Sequence, residues 1–150
     1  MAHEIVRLRY GPLLAQPDVF CSSRKLDLQV IFTDLPKTAA ALATARNLAR
    51  GLGARITLMA AQVVPYPLPL NQPDVRVEYI ERVMESLTAD HDAIVKIYLC
   101  RDRNEAIRRA LPPHSLAIVG ARTWRWWPSW ETRLARMLRH DGRRVLVVTI

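Results

Sequence analysis

Between Gly120 and Thr132 the chain gathers the side chains with the widest chemical reach. Trp124, Trp126, Trp127 and Trp130 fall within seven positions, with Arg122 and Arg125 among them. An indole offers a broad π face and one N–H donor, and a guanidinium offers a flat cation that stacks or grips an anion bidentately. Together they can anchor a protein interface, stack nucleobases, sit at a membrane surface, or simply pack. Trp130 shares helical spacing with Leu134, Met137 and Leu138 and reads as core. Trp124, Trp126 and Trp127 precede Pro128 and lie off that stripe, so with Arg125 they read as an interaction patch.

Catalytic chemistry is harder to find. His3, His91, His114 and His140 are scattered and form no metal-binding pair, so no metal site is expected. Cys21 and Cys100 lie far apart with no C-x-x-C, which argues against a disulfide framework or a zinc knuckle. There is no G-x-S-x-G elbow and no lysine-bearing phosphate loop, and "GLGARI" follows a helix-like run rather than a strand. No catalytic residue is assigned, and the chain reads as a non-enzyme.

The charge is unevenly distributed. The 150 residues carry a formal net charge of +8, yet residues 101–150 hold 11 arginines against 4 carboxylates. The last third therefore carries +7 of the total, which brings an anionic partner into view beside a merely solvated surface. Half of the residues are apolar, enough for a buried core. No apolar run is long enough to span a membrane, and residues 1–20 lack an uninterrupted apolar stretch, so a cytoplasmic protein without a signal peptide is expected.

Elements must position these groups. Residues 1–25 show no steady period and read as an N-terminal extension, with a single domain over 26–150. From Leu26 the pattern turns regular. "LDLQVIF", "ARITLMAAQVV", "AIVKIYL", "LAIVG" and "RVLVVTI" read as strands. Between them lie helix patterns: an alanine-rich run stopped at Gly51 or Gly53, and a stripe of Val77, Ile80, Val83, Met84 and Leu87. "NEAIRRAL" and a segment opened by Ser129 and closed before Gly142 complete the set. Strict alternation with nearly continuous apolar strand cores predicts an α/β fold with an open parallel sheet covered on both faces. Ligands in such folds bind beyond the carboxyl ends of the strands, so the residues after the first and fourth strands are the ones to inspect.

"VIFTDLPKTAAALATARNLARGLGARITLMAAQVVP" resembles the opening of the universal stress protein family, in which a strand ends in an aspartate, a helix follows, and a second strand ends before a proline. "DRNEAIRRALPPHSLAIVGAR" and "RRVLVVTI" resemble its later segments. The resemblance implies a Rossmann-like, five-stranded parallel sheet in order 3-2-1-4-5, of the adenine nucleotide alpha-hydrolase-like (HUP) superfold. It also implies a homodimer with a stress-linked, non-catalytic or ATP-binding role in bacterial-type cells. Nucleotidyl-transfer relatives of that superfold carry H-x-G-H or S-G-G-x-D-S, and neither occurs here.

ATP-binding members carry Gly, two residues, Gly, nine residues, Gly, then Ser or Thr. Glycines let backbone N–H groups approach the phosphates at a helix N-terminus. Gly120 matches the first glycine, but Thr123 and Glu131 stand at the other two, and the loop is two residues short. Thr132 stands at the hydroxyl position and Asp34 at the aspartate near the adenine, where it also reads as a turn or cap before Pro36. A carboxylate in the first turn of a helix takes the favourable field a phosphate needs. The motif thus reads as degraded, with Asp34, Gly120, Arg122 and Thr132 the remaining candidates for a nucleotide, and no cofactor is expected.

The resulting expectation is a stress-response binding protein that works as a homodimer and through an unknown protein partner at the tryptophan loop. The last strand, with Val145, Val147 and Ile150, would sit at the sheet edge and pair with its twin. Two alternatives stand beside it: an ATP sensor, and an RNA- or anion-binding module built on the basic last third.

Overall fold

The computed structural model describes residues 5–6, 26–68, 76–90, 92–123 and 126–150. Its elements in chain order are β1 (Ile5–Val6), β2 (Asp27–Ile31), α1 (Leu35–Leu52), β3 (Arg55–Val63), α2 (Arg76–Thr88), β4 (Ala93–Cys100), α3 (Arg103–Ala110), β5 (Leu116–Ala121), α4 (Trp130–His140) and β6 (Arg144–Thr149). From β2 onward, strand and helix alternate as the sequence predicts.

The helix ends are set by local chemistry. Asp34 caps α1, its carboxylate accepting the Lys37 N–H at 3.0 Å, and Pro36 sits in the first turn where its missing N–H costs nothing. Gly53, at φ 61°, closes the helix in the left-handed region and donates to the Ala49 carbonyl. Asp102 and Ser129 cap α3 and α4 in the same way. Gly142, at φ 78°, turns the chain from α4 toward β6.

β2 lies at the centre of the sheet, paired in parallel with β3 and β5; β4 extends one side and β6 the other. The five parallel strands therefore run in order 3-2-1-4-5. β1 adds a sixth, antiparallel strand beyond β4, with Ile5 opposite Tyr98 and Val6 opposite Ile97. Two residues carry no periodicity, so this strand is absent from the sequence reading. Its pairing satisfies part of an edge that β4 would otherwise leave open.

Period-two alternation splits the core between the two faces of the sheet. Leu28, Val30, Leu58 and Ile118 meet Ala41, Leu42 and Ala45 of α1 and Met84 of α2. Ile31, Met59, Ala117 and Val119 meet Ile107 of α3 and Leu134 and Leu138 of α4. Each large side chain so buried contributes about 1.5–3 kcal/mol. Because α1 follows β2 and α4 follows β5, and these strands are parallel, both helices start at the same end of the sheet. Among the described residues, no helix is long and apolar enough to cross a membrane.

Candidate functional site

Strand order reverses between β2 and β5, and the chain leaves both strands at their carboxyl ends. Asp34 and the start of α1 follow β2; Gly120, Arg122 and, beyond the loop, the start of α4 follow β5. This is the crevice in which an open parallel sheet holds its ligands.

Here the crevice is occupied from within. Lys37 Nζ lies 2.7 Å from Glu131 Oε1 and 2.7 Å from Asp34 Oδ2. Glu131, in the first turn of α4, is only 2% exposed, and Lys37 is 18% exposed. Burial alone would raise the Glu131 carboxyl, but the Lys37 ammonium and the nearby Ser129 hydroxyl hold it below the ordinary range. Burial also pushes Asp34 upward, and Lys37, with Arg122 acting at longer range, more than reverses it. The Lys37 ammonium is raised by its hydrogen bonds to Asp34 and Glu131 against the opposing effect of burial. All three groups are thus held in their charged forms. Glu131 Oε2 has no hydrogen-bond partner among the described residues, nor has Thr33 Oγ1 in the segment after β2.

Gly120 has a steric duty at this point. A Cβ there would overlap the backbone carbonyl of Lys37, so only glycine lets the first turn of α1 lie against β5. The Thr132 hydroxyl lies 3.1 Å from Ser129 Oγ, which also accepts the Thr132 N–H, and so belongs to the cap of α4. Of the nucleotide candidates, Asp34 and Gly120 are therefore gathered around Lys37, Arg122 is exposed and contributes charge, and Thr132 is engaged locally. Lys37 was missed in the sequence. Its signal was a cation in the first turn of a helix, where the macrodipole disfavours it unless a carboxylate answers.

Trp124 and Arg125 lie outside the described residues. Trp126 and Trp127 are 79% and 74% exposed. Trp130 packs against the α3/α4 core as expected, and the Arg103 guanidinium lies 4.8 Å over its ring. Val145 and Val147 are half-buried in β6, the exposed Ile150 lies one residue beyond it, and the outer edge of β6 has no paired strand among the described residues. A further arginine, Arg101, pins the turn after β3: it donates to the Val64 and Leu68 carbonyls at 2.7 Å and lies 4.0 Å over the Tyr66 ring. Cys100 is buried, and burial pushes its thiol upward, which leaves it a poor nucleophile.

Two solved structures share this architecture. A protein of the universal stress protein family from Burkholderia pseudomallei aligns over 85% of this chain and 98% of its own, at 20% identity and a TM-score of 0.61. The universal stress protein UspA from Lactobacillus plantarum aligns over 84% and 99%, at 16% identity and a TM-score of 0.59. No protein-family model matches the chain, and no curated protein matches it. The likeness shows the fold: an open α/β sheet of the universal stress protein type.

Proposed function

We propose that this chain is a non-catalytic, stress-response regulatory binding protein of the universal stress protein type whose ATP phosphate site is degraded. One observation carries the reading. Glu131 is buried in the first turn of α4 and is paired with Lys37 at 2.7 Å. The backbone N–H groups and positive potential of a helix N-terminus are what a phosphate needs. Here an internal carboxylate takes that field, and Lys37 is already shared between two carboxylates. A triphosphate would have to displace a short, largely buried ion pair and face two negative side chains.

Calorimetry with ATP and magnesium tests this. The expected result is no binding in the low-micromolar range, and binding in that range overturns the proposal. Glu131→Gly should improve whatever weak affinity remains, because it removes the charge and frees Lys37. An unchanged affinity would place the obstacle in the shortened loop instead.

The chain acts, in this reading, as a cytoplasmic homodimer formed through Val145–Ile150, and through protein–protein contacts at the tryptophan loop. The exposure of Trp126 and Trp127 supports the loop as a contact surface. The Trp–Arg composition taken alone favours a protein at that surface.

A further inference from the structure

The outward face of α4 is electrostatically one-sided. The helix has a single carboxylate, Glu131, and that group is buried and turned to Lys37. Its remaining ionisable residues, Arg133, Arg136, Arg139 and His140, are all exposed. Arg133, Arg136 and His140 fall at spacings of three and four and form one stripe along the helix. Arg133 and Arg136 have no acidic partner among the described residues, and Arg139 donates only to the neutral carbonyl of Val145. On α3 the pattern is different: Arg108 and Arg109 are answered by Glu105 and Asp141. Three of the eleven arginines of the last third thus stand on one helix with no carboxylate answering them among the described residues.

Directly before this helix stand Trp126 and Trp127, two adjacent indoles with most of their surface in water. The apolar residues of α4 itself, Leu134 and Leu138, are spent in the core, so the helix has no amphipathic face left to lay in a bilayer. What remains is a pair of flat π faces leading into a row of unneutralised arginines. Stacking surfaces beside a track of cations are the two components of single-stranded nucleic-acid recognition, because every base has a π face and every linkage a phosphate. We propose that Trp126, Trp127 and the basic face of α4 bind single-stranded nucleic acid, with bases on the two indoles and phosphates along Arg133 and Arg136 and, toward the helix end, Arg139. This inference rests on the reading of the loop as a contact surface and supplies its partner.

The test is a tryptophan-fluorescence titration of the intact protein with oligodeoxythymidylate and oligouridylate of about a dozen nucleotides, within the site sizes of such surfaces, over a range of salt. Three to four phosphate contacts give an expected slope of log affinity against log salt of about −2 to −3. Trp126→Ala with Trp127→Ala should weaken binding about tenfold or more and leave the slope unchanged. Arg133→Gln with Arg136→Gln should make the slope shallower by about 1.4. All four side chains are exposed, and unchanged circular dichroism melting would confirm that the variants fold.

Absence of oligonucleotide binding at low salt overturns the inference. So does binding that the tryptophan variant leaves intact, which would be charge attraction alone. Displacement of the oligonucleotide by polyglutamate at equal charge, or a preference for phosphatidylglycerol vesicles, overturns it in favour of an acidic protein or a membrane surface. Acrylamide quenching separates this failure from failure of the contact-surface reading. If Trp126 and Trp127 contribute no accessible quenching, measured against Trp126→Phe with Trp127→Phe, the loop is not a contact surface at all.

Discussion

Lys37 and Glu131, 94 residues apart in the chain, meet at 2.7 Å where the N-termini of α1 and α4 converge. Each helix brings a partial positive charge to that point, and Lys37 adds a full one. Asp34 and Glu131 together answer them. The charges of Lys37, Asp34 and Glu131 are thereby bonded to one another across the crevice. The two carboxylates also explain why a lysine is tolerated in the first turn of α1.

Removing one partner should expose how tightly the pair is coupled. Lys37→Met leaves the Glu131 carboxylate buried and unpaired, at an expected cost of about 3–5 kcal/mol. Glu131→Met should cost less, because Lys37 keeps Asp34. The double variant should recover most of the loss, since an apolar pair needs no desolvation and Glu131 Oε2 had no partner to lose. Thermal melts of the four proteins decide it, and a purely additive double variant would show that the pair is not coupled.

The same groups set an acid limit. Asp34 and Glu131 are held below their ordinary values of 3.8 and 4.5, so their contribution is complete above that range and is lost as pH falls through the folded values. Lys37 is raised above 10.5, so its contribution is complete below that pH and fades only in stronger alkali. Stability from the triad should therefore be flat across neutral pH and fall below about pH 4. Glu131→Met should flatten that acid fall in melts from pH 7 to 3; an acid limb identical to wild type would assign it to other carboxylates.

Two glycines should respond in opposite directions. Gly120→Ala drives a Cβ into the Lys37 carbonyl and must push α1 off β5, at an expected cost of about 2 kcal/mol or more. Gly51 is helical and has open space where a Cβ would stand, so Gly51→Ala should stabilise by about 0.5–1 kcal/mol. Chemical denaturation of both variants checks the pair. A neutral Gly120→Ala would mean that α1 yields more easily than its packing suggests.

The alternation of strands and helices and the helix caps were legible because each depends on local pattern: Ser129 before an apolar stripe, Gly53 after one, β-branched runs between them; the order of the parallel strands is not local and came only with the family resemblance. Glu131 was legible as a carboxylate standing where the resembled motif has a glycine. Its partner was not, since Lys37 becomes meaningful only when two helices separated by most of the domain are brought together. The steric role of Gly120 was hidden for the same reason: nothing in its neighbours in sequence reveals a helix turn resting on it. β1 escaped because two paired residues leave no period. Trp124 and Arg125 lie outside the described residues, so the loop is known from Trp126 onward.

The last expectation concerns β6. Its inner edge is bonded to β5 from Arg144 to Thr149, while its outer edge has no strand beside it among the described residues. At the opposite margin β1 covers part of β4, so the sheet is treated differently at its two ends. An uncovered apolar edge is a template for another strand, and natural proteins rarely leave one bare. Val145, Val147 and Val148 are only half-buried, and no lysine, proline or bulge interrupts the run to discourage pairing. A second copy related by a two-fold axis would bring the same edge antiparallel to itself and bond both copies at once. Light scattering at micromolar concentration should therefore give the dimer mass. Val147→Lys should shift the protein toward monomer by placing two like charges close together at the shared edge. A monomeric wild type, or a dimer indifferent to Val147→Lys, would remove β6 as the interface.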